Sequence, residues 1–213
     1  MPLVSTSLVI VFLFGLLICE AREATRAALV FKTSASAGFV ATALALGALE
    51  RGTFGALLVV GLVLSATGDV ALALHGPRSL LFGLFAFLLG HVAYGMACAT
   101  VVPVEHWLSP IAAFPVLATV AVYFALSPRL GALRGPVIAY MATITVMVIG
   151  AIAFRRAGET HGDALVLGAI LFYASDLSVA RDRFVRRAFV NRAWGLPAYY
   201  AGQLFFAWAA QSS

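Results

Sequence analysis

The sequence predicts an all-α fold, a polytopic membrane bundle of eight transmembrane helices. Three observations carry this. Of the 213 residues, 62% are hydrophobic and 11% charged, with a mean hydropathy of +1.01; a soluble domain cannot hide so much apolar surface. A helical span needs about 20 apolar residues, and runs of that length recur between breaks of glycine, proline and arginine. Alternate breaks hold most of the arginines. No sizeable soluble unit fits beside the spans, so residues 1–213 read as one integral membrane domain.

The first span is read at 3–19. No Lys or Arg precedes Arg22, so this segment lacks a signal peptide's basic start and is expected to be retained. The second, 28–49, carries Lys32 near its beginning. The third, 53–74, is apolar except for Asp69 in "LSATGDVALAL". The fourth, 79–101, follows "HGPRS" and holds His91 and Tyr94 in "GHVAY". The fifth is read at 107–126 and the sixth, with Tyr140, at 134–154. The seventh, 162–180, contains Asp176 in "LFYASDLSVA", and the eighth, 196–210, contains Tyr199, Tyr200 and Gln203. Trp107 and Trp194 fall at span edges, where interfacial aromatics belong. Cys19 and Cys98 lie in apolar segments and read as buried small hydrophobes, not as a disulfide or metal knuckle.

The breaks after spans 1, 3, 5 and 7 hold Arg22, Arg26, Arg78, Arg129, Arg134, Arg181, Arg183, Arg186, Arg187 and Arg192; the other side holds Arg51, Arg155 and Arg156. Ten against three is a positive-inside signal that places both termini on the non-cytoplasmic side. Topology also accounts for the net charge of +5, and no nucleic-acid partner is expected. An internal echo accompanies it. At an offset of 107, "GALLVVGLVLSATGDVALA" (55–73) aligns with "GDALVLGAILFYASDLSVA" (162–180), pairing Gly61 with Gly168 and Asp69 with Asp176. A duplication would divide the chain into 1–106 and 107–213, two parallel four-helix halves.

Asp69 and Asp176 are the anomaly. Insertion scales charge about 2.5–3.5 kcal/mol for Asp at a helix centre, and both lie four or five residues from the arginine-rich end of their spans. Lys32, Tyr140, Tyr199, Tyr200 and Gln203 fall at a similar depth, with His91 and Tyr94 nearer mid-membrane. Together they are expected to face one pocket in the cytoplasmic half. Blander readings stand beside this one: a Lys32–Asp pair that neutralises itself, His91 as a hydrogen-bonded core residue, the tyrosines as belt aromatics, and Arg181–Arg192 as topology with a second use in gripping lipid phosphate.

Metal chemistry is not expected, because His106 and His161 face the side opposite His91, leaving His75 and too few ligands. No G-x-S-x-G elbow is present, and Ser65 and Ser175 lack a relay. Two carboxylates in an apolar pocket suit acid–base work, since their surroundings can keep one protonated and the other ionised.

The ordered set of Lys32, "GDVAL", "GHVAY", "YM" (140–141), "SDLSVA" and "YYAGQL" resembles the YhhN family, the lysoplasmalogenases. The resemblance covers nearly the whole chain, and it departs where "FKTSAS" lacks a proline soon after the lysine and where Gly202 precedes Gln203. It implies hydrolysis of the sn-1 vinyl ether of a lysoplasmalogen drawn from the bilayer, releasing a fatty aldehyde and a glycerophospho-ethanolamine or -choline without a cofactor. Asp176 would be the acid and Asp69 the base, or the reverse. Lys32 would hold an Asp ionised or meet phosphate, and His91, Tyr94, Tyr140, Tyr199, Tyr200 and Gln203 would line the substrate site. The competing class is a proton-coupled transporter or lipid-binding membrane protein. The alanine-rich composition suggests a bacterial inner membrane.

Overall fold

The computed structural model describes residues 1–74 and 76–212. Eight long helices follow in order: α1 Pro2–Ala21, α2 Thr25–Ala45, α3 Gly52–Ala73, α4 Pro77–Val101, α5 Ala113–Leu126, α6 Arg134–Arg156, α7 Gly162–Phe184 and α8 Phe189–Ala209. Among the described residues there is no strand. Seven segments among the described residues are long and apolar enough to cross a membrane, and the chain is an integral membrane protein. The eighth helix is just as long at 21 residues, but its composition is diluted by Asn191, Tyr199, Tyr200 and Gln203, all of which it turns inward. Outward-facing Leu3, Phe14, Val30, Phe82, Phe114 and Phe124 are exposed. In water such a belt would be an aggregation liability; in a bilayer it is the lipid-facing surface.

Three boundaries differ from the sequence reading. The second helix stops at Ala45, because Gly47 takes a left-handed conformation (φ 76°) and Ala48–Arg51 forms a separate 3-10 turn. The fifth begins at Ala113, since Pro103 and Pro110 break the preceding stretch into 3-10 turns. Trp107 therefore sits in that connection, its Nε1 donating to the Val102 carbonyl at 2.9 Å, and is buried against Gly150, unlike half-exposed Trp194. The eighth starts at Phe189, well before residue 196, with Pro197 inside it. Arg181, Arg183 and Arg192 thus ride on helix ends, and only 185–188 connects α7 to α8.

Helices α2, α3, α4, α6, α7 and α8 form a closed ring, each packing on the next, and α8 also touches α3 across it. Outside the ring, α1 lies against α2 and α8, whereas α5 packs chiefly on α6. The order has an internal rhythm: α2–α3–α4 and α6–α7–α8 occupy corresponding arcs. Close approach at the tightest pairs depends on glycine, as small residues do wherever membrane helices touch. A Cβ on Gly168 would stand 3.0 Å from the Gly202 carbonyl oxygen, so α7 and α8 meet backbone to backbone. On α3, Gly61 leaves the space that the ring of Tyr94 fills.

Candidate functional site

Asp69 lies on α3, with partners on α2 and α8, and is 2% exposed. Lys32, two turns into α2, brings its Nζ to 3.4 Å from Oδ1. Ser36, one turn further along the same face, donates to Oδ2 at 2.7 Å, and the Tyr199 hydroxyl of α8 donates to the same oxygen at 2.7 Å. Tyr200 stands behind them, 3.4 Å from the Ser36 hydroxyl and donating to the Lys32 carbonyl at 3.3 Å. Every neighbour bonded to Asp69 is a donor, the complement that an ionised carboxylate requires.

Asp176 has a different setting. It lies on α7 with its side chain 21% exposed, and its Oδ2 is 3.4 Å from His91 Nε2 of α4. Among the described residues neither atom has a hydrogen-bond partner. His91 Nδ1 is 2.7 Å from the Phe87 carbonyl. A carbonyl can only accept, so Nδ1 carries a hydrogen, and in a neutral imidazole Nε2 is then a bare lone pair. Lone pair and carboxylate cannot face each other stably, so one proton belongs to the His91–Asp176 pair. Tyr140 of α6 completes this side, its ring edge-on to His91 at 5.2 Å and its phenol interacting with Asp176.

A chain of ring contacts leads from the surroundings of one carboxylate to those of the other. Phe172 lies 4.3 Å from His91 and 5.4 Å from Tyr199 between centroids, and Phe87 lies 5.8 Å from Tyr199. The order is therefore Asp69, Tyr199, Phe172, His91, Asp176, with no hydrogen-bonding side chain shared by the two acids among the described residues. Deeper in the bundle, the Tyr94 hydroxyl donates to Gln203 Oε1 at 2.6 Å, and its ring stacks on Phe206 at 4.1 Å. Gln203 Nε2 is buried without a partner.

The residues singled out from sequence thus fall into three groups: Lys32, Tyr199 and Tyr200 around Asp69; His91 and Tyr140 around Asp176; and Tyr94 with Gln203 beneath. Ser36, Phe87 and Phe172 were missed. Ser36 had a signal, since it lies one helical turn from Lys32; the two phenylalanines had none. Among the described residues no three His, Cys, Asp or Glu side chains gather where a metal ion would sit. His106 and His161 are in the connections at the opposite end, and His75 lies outside the described residues. A second polar knot, Thr119 to Thr145 at 2.6 Å and to Tyr173 at 3.0 Å, ties α5 to α6 and α7.

No solved structure matches the chain. The model of the YhhN family matches residues 27–210, a segment that begins just before Lys32 and ends just after Gln203, and so spans both carboxylates and everything bonded to them. The chain belongs to the YhhN family.

Proposed function

We propose that the protein is an intramembrane hydrolase that cleaves the sn-1 vinyl ether of lysoplasmalogens by carboxylate acid–base catalysis. The observation that carries this reading is the unlike setting of the two acids: Asp69 ringed by donors, Asp176 set 3.4 Å from a histidine nitrogen that has no hydrogen-bond partner among the described residues. An acid–base pair needs one group that gives a proton and one that stays charged.

The reaction then runs as follows. The His91–Asp176 pair delivers its proton to the vinyl carbon remote from the ether oxygen, and the π electrons leave an oxocarbenium ion. Asp69 stabilises that cation electrostatically and accepts a proton from the attacking water. Water oxygen bonds to the carbon bearing the ether oxygen, giving a hemiacetal. Collapse breaks the bond to the glycerol oxygen. The hemiacetal hydroxyl gives its proton back to the His91–Asp176 pair, and Asp69 passes the proton it took from water to the departing oxygen. The aldehyde and the glycerol hydroxyl leave with both groups restored. The reacting carbons would lie against Phe172 and Tyr199, whose rings exclude bulk water. Tyr94 and Gln203 would orient water from beneath, and Tyr140 and Tyr200 would flank the glycerol.

Entry for the alkyl chain is supported by how α4 and α6 are arranged. They meet at one end, where Gly95 faces Met147 and Trp107 packs on Gly150. Toward the arginine-rich end Leu81, Phe82 and Phe85 of α4 and Ile138, Ala139 and Ala142 of α6 are exposed. A chain lying in the bilayer would enter there, beside Tyr140 and Asp176.

The test is aldehyde release from a lysoplasmalogen by purified protein in detergent, beside Asp69→Asn and Asp176→Asn. Turnover by the wild type and its loss in both variants is expected. A second reading, a proton-coupled carrier, draws on the corresponding arcs of the ring, each holding one acid. It predicts no turnover in detergent and substrate uptake that collapses with the proton gradient; that result would replace the hydrolase.

A further inference from the structure

Above the Asp69 cluster, at the arginine-rich end, a cavity of about 640 Å³ opens between the α1–α2 turn and the α7–α8 connection, and it carries Glu20, Glu23, Arg187 and Arg192 on its walls. We propose that this cavity is a binding site for a zwitterionic phosphodiester headgroup, the arginines taking the phosphate and the glutamates the ammonium. The choice of ligand rests on the hydrolase reading above; the site itself rests on five observations.

The walls carry both signs. Two guanidinium groups and two carboxylates on one cavity complement a zwitterion better than a bare anion, which the carboxylates would repel. Arg192 is also incompletely used. Its Nη1 donates to Glu20 Oε2 at 2.6 Å, but its Nε is buried with no hydrogen-bond partner among the described residues. Glu20 fixes the guanidinium at the cavity wall with the side chain 30% exposed, and a planar guanidinium held in place suits phosphate oxygens.

The α7–α8 connection is pinned to present its arginines. Asp182 accepts from the Ala188 backbone N–H at 3.0 Å and from Asn191 Nδ2 at 3.0 Å, and Asn191 Nδ2 also donates to the Arg186 carbonyl at 2.7 Å. These bonds hold the turn on which Arg187 sits. On the facing turn, Glu23 adopts φ 57°, a left-handed conformation that side chains other than Gly and Asn rarely take. The turn around it is closed by the Ala24 N–H donating to the Cys19 carbonyl at 2.9 Å. Strain tolerated at a cavity rim points to a use for the side chain it positions.

The floor leads to the acids. Ala28 lines the cavity and lies four residues before Lys32, about 6 Å along α2; Arg192 lies seven residues before Tyr199, about 10 Å along α8. A headgroup in the cavity would trail its glycerol toward Asp69.

The test is calorimetric titration of the full chain in detergent with sn-glycero-3-phosphoethanolamine, glycerol 3-phosphate and inorganic phosphate. The wild-type chain is used, because none of the three probes carries a vinyl ether to cleave. Glycerophosphoethanolamine is expected to bind at least tenfold tighter than either phosphate. Arg187→Gln should weaken it about tenfold, and Glu23→Gly should melt higher than its parent while losing preference for the ammonium-bearing ligand. Equal affinity for all three probes, or no binding by a folded protein, overturns the proposal; so does a Glu23→Gly that keeps the preference. Aldehyde release by the wild type distinguishes the two readings. Turnover without headgroup binding removes the pocket and leaves the hydrolase, whereas binding without turnover removes the hydrolase and leaves the pocket.

Discussion

Asp69→Asn and Asp176→Asn are one chemical change at two echoing positions, and the geometry gives them unequal effects on stability. Around Asp69 stand Lys32 at 3.4 Å and two hydroxyls at 2.7 Å, all donors. An asparagine has one oxygen to offer them. If that oxygen stays with Ser36 and Tyr199, the new amide faces an ammonium without a counter-charge, and breaking a buried pair in this way costs about 3–5 kcal/mol. If the amide turns round, two hydrogen bonds to a charged acceptor are lost, at about 1.5–3 kcal/mol each. Either orientation costs about 3 kcal/mol or more. At Asp176 the amide N–H can stand in for the proton held between Asp176 and His91 Nε2, so one hydrogen bond replaces another and the net change should stay within about 1 kcal/mol. Thermal unfolding of the purified variants in detergent reads the difference. At about 2–4 °C per kcal/mol for a chain of this size, Asp69→Asn should melt roughly 6–12 °C below wild type, with Asp176→Asn within a few degrees of it. Comparable destabilisation by the two substitutions would refute the proton assignment at His91.

The hydroxyl bonds predict a ranking: Tyr199→Phe removes a 2.7 Å bond to a buried carboxylate and should cost about 1.5–3 kcal/mol, whereas Tyr200→Phe loses only contacts of 3.3–3.4 Å and should cost about half that or less. Melting the two side by side checks the order. Gly61→Ala drives a methyl into the ring of Tyr94 and should cost about 1–3 kcal/mol through overpacking, with quenching or exposure of the displaced tyrosine as an independent readout. Neutralising Arg155 and Asp163, an ion pair whose side chains are 59% and 78% exposed, should leave stability within about 1 kcal/mol; a larger loss would show that this end of α6 and α7 matters more than its exposure implies.

What was legible in the sequence was contrast. A lysine, two aspartates and a histidine in apolar helices stand out because each is costly there, and depth along the helix follows from the rise per residue. The YhhN resemblance was legible for the same reason, since its motifs are those polar islands. What had no contrast stayed hidden. Phe87 and Phe172 link the rings beside the two acids, yet a phenylalanine in a membrane helix looks like any lipid-facing neighbour. Ser36 sits in a small-residue stretch where a hydroxyl usually bonds its own helix. Helix rotation was equally invisible, and rotation is what separates one expected pocket into two clusters linked by rings. The start of α8 was misplaced because Arg186–Arg192 and Pro197 read as a loop, whereas Asn191 and Asp182 bond across the turn and let the helix begin early.

The two clusters also bear on why the chain holds two carboxylates at all. Asp69 takes its partners from α2 and α8, Asp176 from α6 and α4. Counting round the ring, these are corresponding positions: the helix before the acid's own, and the last helix of the other half. The scaffold thus offers each acid the same geometric opportunity, one neighbour from within its half and one from across. The chemistry placed there differs. The first has a lysine, a serine and a tyrosine, which can only support negative charge; the second has an imidazole whose other nitrogen is already committed to a carbonyl, which forces a proton into the pair. Two identical environments would have produced two identical carboxyls, useful for relaying protons but unable to divide acid and base roles. The divergence of side chains on corresponding frames is therefore the feature that favours catalysis over carriage. It predicts that transplanting the first environment onto the second, by making His91 unable to share a proton, removes the acid without disturbing the base.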